Sequence, residues 1–358
     1  MKKIAFVRTR YLPPSETFIY EELKNINTVK PIVFSRKKMN LDRFPYSDIR
    51  KLSHGTNNII KRFRQEKIKL IHARFGNAGV RLMEVKRRTR LPMLTSFHGF
   101  DLPVKRSRKN LYHRKLPRLF RIGDRFTVPS FHMRQKLINW GCPPNKINVM
   151  YSGIDLKKFT YLKRDLKTEN VVIIAVGRLH KKKGFRYLLK AFKQVVVQYP
   201  TSRLIIVGEG AERGKLTELI SALNLKKYVK LEGIVTHSQM SAMLSQADIF
   251  CLPSVTTKEG NQEGIPNAIK EAMATGLPVV STLHGGIPEL VADESEGLLV
   301  PEKSVKLLAE KIMYLIENPS VRREMGQKGR AKVENSFDSS KQVRMLEDIY
   351  KELMGDNK

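Results

Sequence analysis

Twice along this chain, short β-branched apolar runs alternate with helical stretches, and that alternation constrains the fold more than any other feature. In the first half, residues 4–7, 31–34, 70–73, 93–96, 125–128 and 147–150 read as buried strands, and helical stretches lie near 16–26, 78–90, 111–122 and 131–140. Ser130 is placed to cap the last of these helices. In the second half, strands near 171–176, 204–207, 229–231, 249–252, 279–281 and 297–300 again alternate with helices. The pattern predicts two doubly wound, Rossmann-like α/β domains. A chain of 358 residues also exceeds what one core usually encloses. The polar stretch 162–170 is the natural linker, dividing a first domain, 1–161, from a second, 170–339. No repeat of solenoid length interrupts either half.

Charge is distributed unevenly. The chain carries a formal net charge of +33. Residues 1–160 hold 37 Lys and Arg against 10 Asp and Glu, whereas the remainder holds 30 against 24. The basic runs include Lys61-Arg62-Phe63-Arg64, Lys86-Arg87-Arg88 and Lys105-Arg106-Ser107-Arg108-Lys109. Such a surface either keeps a protein soluble or attracts an anionic lipid or polyanion. A nucleic-acid binder is one class this charge admits. Against it, the sequence has no helix-turn-helix signature, zinc spacing or aromatic RNA-binding strand, so nucleic acid is not expected as a partner. Cys142 and Cys251 are far apart and lack metal spacing, which reads as reduced thiols of the cytosol. The N-terminus is too short in apolar residues for a secretory signal, and no apolar run approaches ~20 residues.

The most informative segment runs from Glu263 through Gly264-Ile265-Pro266-Asn267 to Glu271, then to Gly276 and Ser281. Pro266 suits a first helical turn, and Ile265, Ala268, Ile269, Ala272 and Met273 recur at helical spacing. Eight helical residues would rise about 12 Å, so Glu263 and Glu271 are expected to touch opposite ends of one extended ligand. A nucleotide diphosphate sugar has that length. Between the two carboxylates, free N–H groups of the helix start would take a diphosphate, with Gly264 allowing close approach.

Several ordered blocks carry a family resemblance. Val176-Gly177-Arg178-Leu179 is followed by Lys181-Lys182-Lys183-Gly184. Then come Leu204–Gly210, Val229–Gly233, Ala247–Ser254 and Gly285-Gly286-Ile287-Pro288-Glu289. The first half holds Phe97-His98-Gly99-Phe100-Asp101. Together with the Glu263–Glu271 segment, these resemble the retaining glycosyltransferases of family 4. The similarity spans most of the chain and is strongest from Val171 to Val300. Their joint order is specific.

The resemblance implies a GT-B fold, in which two Rossmann-like domains face each other across a cleft and a last helix, about 340–358, packs back on the first domain. It implies a nucleotide diphosphate sugar, UDP- or GDP-linked, as donor and a glycan or lipid-linked acceptor, as in bacterial surface-polysaccharide synthesis. Arg178 and Lys183 match the family's donor-phosphate ligands. His98 matches its active-site segment, with Glu263 on the sugar hydroxyls and Glu271 on the ribose. Gly233, Ile234, Gly264, Ile265, Pro266 and Asn267 complete the donor site in this reading. Ser15, Glu16 and Thr17, in a loop similar to an "SETF" variant of polysaccharide-building members, are expected at the acceptor or cleft with Asn77 and Asp101. No cofactor is expected. No Asp-x-Asp occurs, so a metal site is not expected either, and cations with helix amides would stabilise the departing diphosphate. The expected place of work is the cytoplasmic face of a membrane, bound peripherally through an anionic lipid surface. A nucleotide-sugar epimerase of the same architecture is the second reading.

Overall fold

The computed structural model describes residues 1–13, 16–98, 101–102, 109–163 and 168–356. The chain forms two compact units. The first holds Met1–Gly153 and Ser339–Lys358, and the second holds Ile154–Asp338.

The first unit contains β1 (Lys3–Val7), β2 (Arg10–Tyr11), α1 (Thr17–Asn25), β3 (Lys30–Ser35), β4 (Lys37–Lys38), β5 (Ile49–Lys51) and α2 (Thr56–Gln65). It continues with β6 (Ile68–Arg74), α3 (Gly76–Thr89), β7 (Met93–Ser96), α4 (Leu111–Ile122), β8 (Arg125–Val128), α5 (Phe131–Asn139) and β9 (Ile147–Val149). Seven strands form one sheet in the order β5-β3-β1-β6-β7-β8-β9, and the paired β2 and β4 stand apart. All seven pair in parallel. Ala5, Ile71, Ala73 and Met93 face a core shared with α2 to α5, including Phe63, Leu82, Leu119 and Leu137. On the other face, Ile4, Leu70 and Leu94 pack with Val343, Leu346, Ile349 and Tyr350 of the last helix, Ser339–Met354. Those four recur at helical spacing, which gives that helix one apolar stripe. Polar contacts fix its register: Glu347 accepts the backbone N–H groups of Asn27 (2.6 Å) and Thr28 (2.7 Å), and Tyr350 Oη lies 2.6 Å from His72 Nδ1.

The second unit contains β10 (Val172–Val176), α6 (Phe185–Gln198), β11 (Arg203–Val207), α7 (Arg213–Ala222), β12 (Val229–Gly233), α8 (His237–Gln246) and β13 (Ile249–Leu252). After these come α9 (Asn267–Ala274), β14 (Val279–Thr282), α10 (Ile287–Leu290), β15 (Gly297–Val300), α11 (Val305–Glu317) and α12 (Pro319–Ser336). The helix Ser339–Met354, already met in the first unit, is α13. The sheet order is β12-β11-β10-β13-β14-β15, again parallel.

Both sheets therefore reverse winding direction beside their first strand. In the first unit the switch lies between β1 and β6; in the second it lies between β10 and β13. Open α/β sheets bind ligands at such points, beyond the carboxyl ends of the strands.

Some expectations move. Residues 154–161 belong to the second unit, because Ile154 bridges Asp338 and Tyr161 lies where any side chain at Gly276 would stand. Of the expected linker, residues 164–167 lie outside the described residues. The short β5 and the helix α2 add to the predicted pattern. Ser130 caps α5 as expected, accepting the Met133 N–H at 3.0 Å. Cys142 and Cys251 are both buried and unbridged, and burial pushes their thiol pKa values up, Cys142 to about 12.

Candidate donor site and the first-unit switch point

In the second unit, β10 ends at Val176, and the chain turns through Gly177 and Arg178 into a short 3-10 turn, Lys181–Lys183. Gly184 then starts α6 with φ +69, in the left-handed region where glycine is unstrained. A side chain there would run into the Pro253 carbonyl just beyond β13. The Val255 N–H donates to the Lys182 carbonyl at 2.8 Å, so the switch point is closed by backbone contacts.

Lys182 Nζ lies 3.0 Å and Lys183 Nζ 3.3 Å from the same oxygen of Glu263. Burial raises the Glu263 pKa, but the Lys183 and Lys182 ammoniums outweigh it and hold the carboxylate below its ordinary range. Burial lowers the Lys183 pKa; Glu263 opposes this, while the Lys182 and Arg178 charges add to it. Arg178 is exposed beside this pair. Glu271, on α9, is raised by burial, with Lys270 and Lys183 opposing. Lys183 thus acts electrostatically on both carboxylates singled out in the sequence.

The segment around Glu263 differs from expectation. The helix begins at Asn267, and Pro266 is its cap residue with extended ψ 128. Glu263, Gly264 and Ile265 therefore lie in a loop, so the expected eight-residue helical rise is replaced by a loop followed by about one turn. The reason is a second layer of contacts. The Glu263 N–H donates to His284 Nε2 at 2.9 Å, and Gly286 N–H donates to the Gly264 carbonyl at 3.1 Å. Gly285, at φ +54, lies so close that a side chain would meet the Glu263 carbonyl. His284 Nδ1 is 2.6 Å from Glu302 Oε1, and Glu302 also accepts Thr256 N–H and Oγ1–H, both at 2.8 Å. A Cβ on Gly264 would meet open space, leaving backbone for a ligand to approach. Gly233 has φ +81, a Cβ there would stand 3.7 Å from Glu209 Oε1, and Ile234 beside it is 82% exposed.

In the first unit, Arg8 follows β1, Arg74 ends β6 and His98 lies two residues past the end of β7. Arg8 is bound to Glu16 through two hydrogen bonds and lies 3.9 Å from the centre of the Phe75 ring. Arg74, 1% exposed, is paired with Glu22. The His98 ring packs on Phe75 and Phe18, with centroids 4.7 and 5.2 Å away. Burial, then the Arg74 and Arg8 charges, push its pKa well below the ordinary histidine value, so the imidazole is neutral. Its Nε2 is buried with no hydrogen-bond partner among the described residues.

Asp101 staples this switch point together. Its Oδ1 accepts the His98 N–H at 2.9 Å and its Oδ2 the Gly76 N–H at 2.8 Å, while its carbonyl takes the Tyr112 hydroxyl at 2.5 Å. The glycine at 76 answers crowding rather than the turn: a side chain there would meet Tyr112 and Phe97, and the positive φ of the turn falls on Phe75 (φ 73). Glu16, expected at the acceptor, has its carboxylate occupied by Arg8. Thr17 starts α1, and Asn77 is exposed on α3. Ser15 and Gly99 lie outside the described residues. Sequence reasoning missed Lys182, His284, Glu302 and Arg8. The first two lie within or beside quoted motifs, and the others find partners only through folding.

Residues 159–332 match the family model of glycosyl transferases group 1, and residues 20–158 match that of Glycosyltransferase Family 4. The amylovoran biosynthesis glycosyltransferase AmsK of Erwinia amylovora is 36% identical over 289 residues, covering 79% of this chain and 70% of AmsK. The chain belongs to glycosyltransferase family 4. WcaL of Escherichia coli (strain K12), whose name assigns it to colanic acid biosynthesis as a glycosyltransferase, is 39% identical over 242 residues. That match covers 67% of this chain but 59% of WcaL, so the chain spans less than two thirds of that relative's length. The GT-B architecture of this family-4 chain matches the Anabaena HepE structure solved with UDP. The TM-score is 0.84, over 98% of this chain and 100% of HepE, at 19% identity, a likeness of fold. The two family-4 matches abut at residues 158 and 159, a few residues beyond the division between the compact units.

Proposed function

We propose that this chain is a retaining glycosyltransferase that moves a sugar from a nucleotide diphosphate sugar to a glycan or lipid-linked acceptor in bacterial surface-polysaccharide synthesis. The observation that carries the reading is the cluster of Arg178, Lys182 and Lys183 with Glu263 at the second switch point, beside the start of α9. A departing nucleoside diphosphate gains negative charge as its bond to the sugar breaks. Fixed cations and helix amides stabilise such charge without reorganising. Lys182 and Lys183 balance the charge of Glu263, and a bound diphosphate would share them. Glu263, kept ionised, accepts sugar hydroxyls, and Glu271 takes the ribose. His98, neutral and with an Nε2 that has no partner among the described residues, can offer a hydrogen bond to a sugar hydroxyl or phosphate from the first unit.

In the step proposed, the bond from the anomeric carbon to the diphosphate oxygen breaks and a bond to the acceptor hydroxyl oxygen forms on the same face. The acceptor proton passes to the leaving diphosphate. The charge stabilisation this step needs is supplied by side chains and amides, so transfer is expected without a metal. AmsK and WcaL, named for amylovoran and colanic acid biosynthesis, support the acceptor class; HepE, solved with UDP and with UDP-glucose, supports a UDP-linked donor. The basic first unit supports work as a peripheral protein on an anionic, cytoplasmic surface.

The test is turnover of UDP- and GDP-sugars with and without a membrane extract as acceptor source, in excess EDTA. Acceptor-dependent release of nucleoside diphosphate is expected. Epimerised donor without acceptor, or activity restored solely by added magnesium or manganese, overturns the reading.

A further inference from the structure

The first unit holds a groove that shares Asn77 with the expected acceptor side but whose cations the proposed reaction does not use. It lies between α3 and α4, has a volume of about 570 Å³, and opens to solvent. That is within the range of about 300–1,000 Å³ typical of ligand sites. Its walls are of two kinds. Arg81 from α3 and Lys115 and Arg118 from α4 bring three cations, and Val80, Met83 and Leu111 bring apolar surface. Glu84 is the acid among the lining residues, and Arg87 holds both its oxygens, at 2.9 and 2.7 Å. The helix α4 carries no acidic residue: Arg114, Lys115, Arg118 and Arg121 are all exposed on it. The Arg81 Nε is buried without a hydrogen-bond partner among the described residues, an unmet donor at the groove wall. Leu111, at the first turn of α4, is 59% exposed beside these cations.

Three cations and an exposed leucine lining one groove match an anionic head joined to an apolar chain. A soluble polyanion would use the cations and leave Leu111 in water. We propose that this groove takes the phosphate headgroup of an anionic membrane lipid, with Arg81, Lys115 and Arg118 on the phosphate and Leu111 set into the acyl boundary. Guanidinium groups suit the planar, multidentate contact that phosphate oxygens offer. Side chains such as leucine enter the headgroup boundary when an amphipathic helix lies in the interface. The inference rests on the membrane reading given above and locates it: the surface that meets the bilayer is the α3–α4 face rather than the basic excess as a whole.

The experiment uses the full chain and vesicles of phosphatidylcholine alone or mixed with phosphatidylglycerol, read by co-sedimentation. The double variant Lys115→Gln/Arg118→Gln is compared with a control that removes equal charge from α2, Lys61→Gln/Arg64→Gln. The groove pair is expected to lose affinity for the anionic vesicles about 30-fold, as two cations at an anionic surface are worth about 1 kcal/mol each. The control is expected to lose less than about threefold, because charge outside the contact acts only through a screened field. Leu111→Ser is expected to weaken vesicle binding while leaving the binding of inorganic phosphate unchanged, which separates the lipid from a free phosphate. Thermal unfolding and nucleoside diphosphate affinity serve as folding controls, and both should match wild type in every variant. Equal losses in the groove and control variants, or RNA displacing wild type from vesicles while binding the Leu111→Ser variant equally well, would overturn the groove alone. Wild type failing to pellet with either vesicle would remove the membrane reading beneath it.

Discussion

His284 Nε2 accepts the backbone N–H of Glu263 at 2.9 Å, 21 residues away in sequence. A ring nitrogen that accepts carries no proton, so the proton is on Nδ1, which donates to Glu302 at 2.6 Å. Glu302 is fit for this: burial raises its pKa, but the His284 and Thr256 hydrogen bonds outweigh it, and the carboxylate stays ionised. The chain Glu302–His284–Glu263 therefore fixes the backbone that leads into the donor helix.

His284→Ala should leave the part-buried Glu263 N–H unpaired, a cost of about 1 kcal/mol. Part of that cost falls on the loop and is expected to appear as a few-fold weaker nucleoside diphosphate binding by calorimetry. His284→Gln, which keeps an acceptor near Nε2, should recover part of the loss. Equal affinity in the alanine variant and wild type would mean that the Gly285–Gly286 contacts hold the loop unaided.

Arg178→Ala should reduce turnover by about 10²–10³-fold, the usual cost of one donor to developing negative charge. Glu271→Ala should mainly weaken nucleotide binding. Glu263→Ala should instead relax discrimination between donor sugars, measured as the ratio of kcat/KM for two UDP-hexoses. Wild-type turnover in Arg178→Ala would displace the donor site from this switch point.

Asp101 divides its carboxylate between two backbone donors, on His98 and Gly76. Asp101→Asn keeps one accepting oxygen and turns the other position into a donor facing an N–H. The first unit should lose about 1–3 kcal/mol of stability in denaturant unfolding. Because His98 hangs on the same staple, kcat should fall as well, while nucleoside diphosphate affinity in the second unit stays near wild type. A stability loss with kcat untouched would make Asp101 a loop residue alone.

These relationships explain what the sequence could and could not disclose. Met93–Ser96, Arg125–Val128, Ile249–Leu252 and Gly297–Val300 form strands where the sequence pattern places them, because a parallel strand covered on both faces is mostly apolar. β5 is too short for a pattern, and α2 buries just Ile59, Ile60 and Phe63 among polar neighbours. The Glu263–Glu271 segment stood out because its residues are consecutive. Its true geometry did not, since the loop before Asn267 is held by His284 and Gly286 from another turn of the chain. Arg8 and Arg74 find their partners only in the fold, Glu16 just before α1 and Glu22 on it.

The last prediction concerns Lys183. Burial lowers its pKa below the ordinary lysine value, and the nearby Lys182 and Arg178 charges act in the same direction. As pH rises through that lowered value the ammonium loses its proton, and with it the attraction for a diphosphate. Affinity should therefore fall at a lower alkaline pH than an ordinary lysine would require. A bound diphosphate favours the charged form, so binding on this limb should draw a proton from solution. Calorimetry in two buffers of different ionisation enthalpy reads that uptake directly. In Lys183→Arg the guanidinium does not titrate in this range. Its affinity should stay level across the alkaline limb and its proton uptake should vanish, even if its neutral-pH affinity is lower than wild type. An unchanged alkaline fall in Lys183→Arg would assign the titration to another group and remove Lys183 from the diphosphate site.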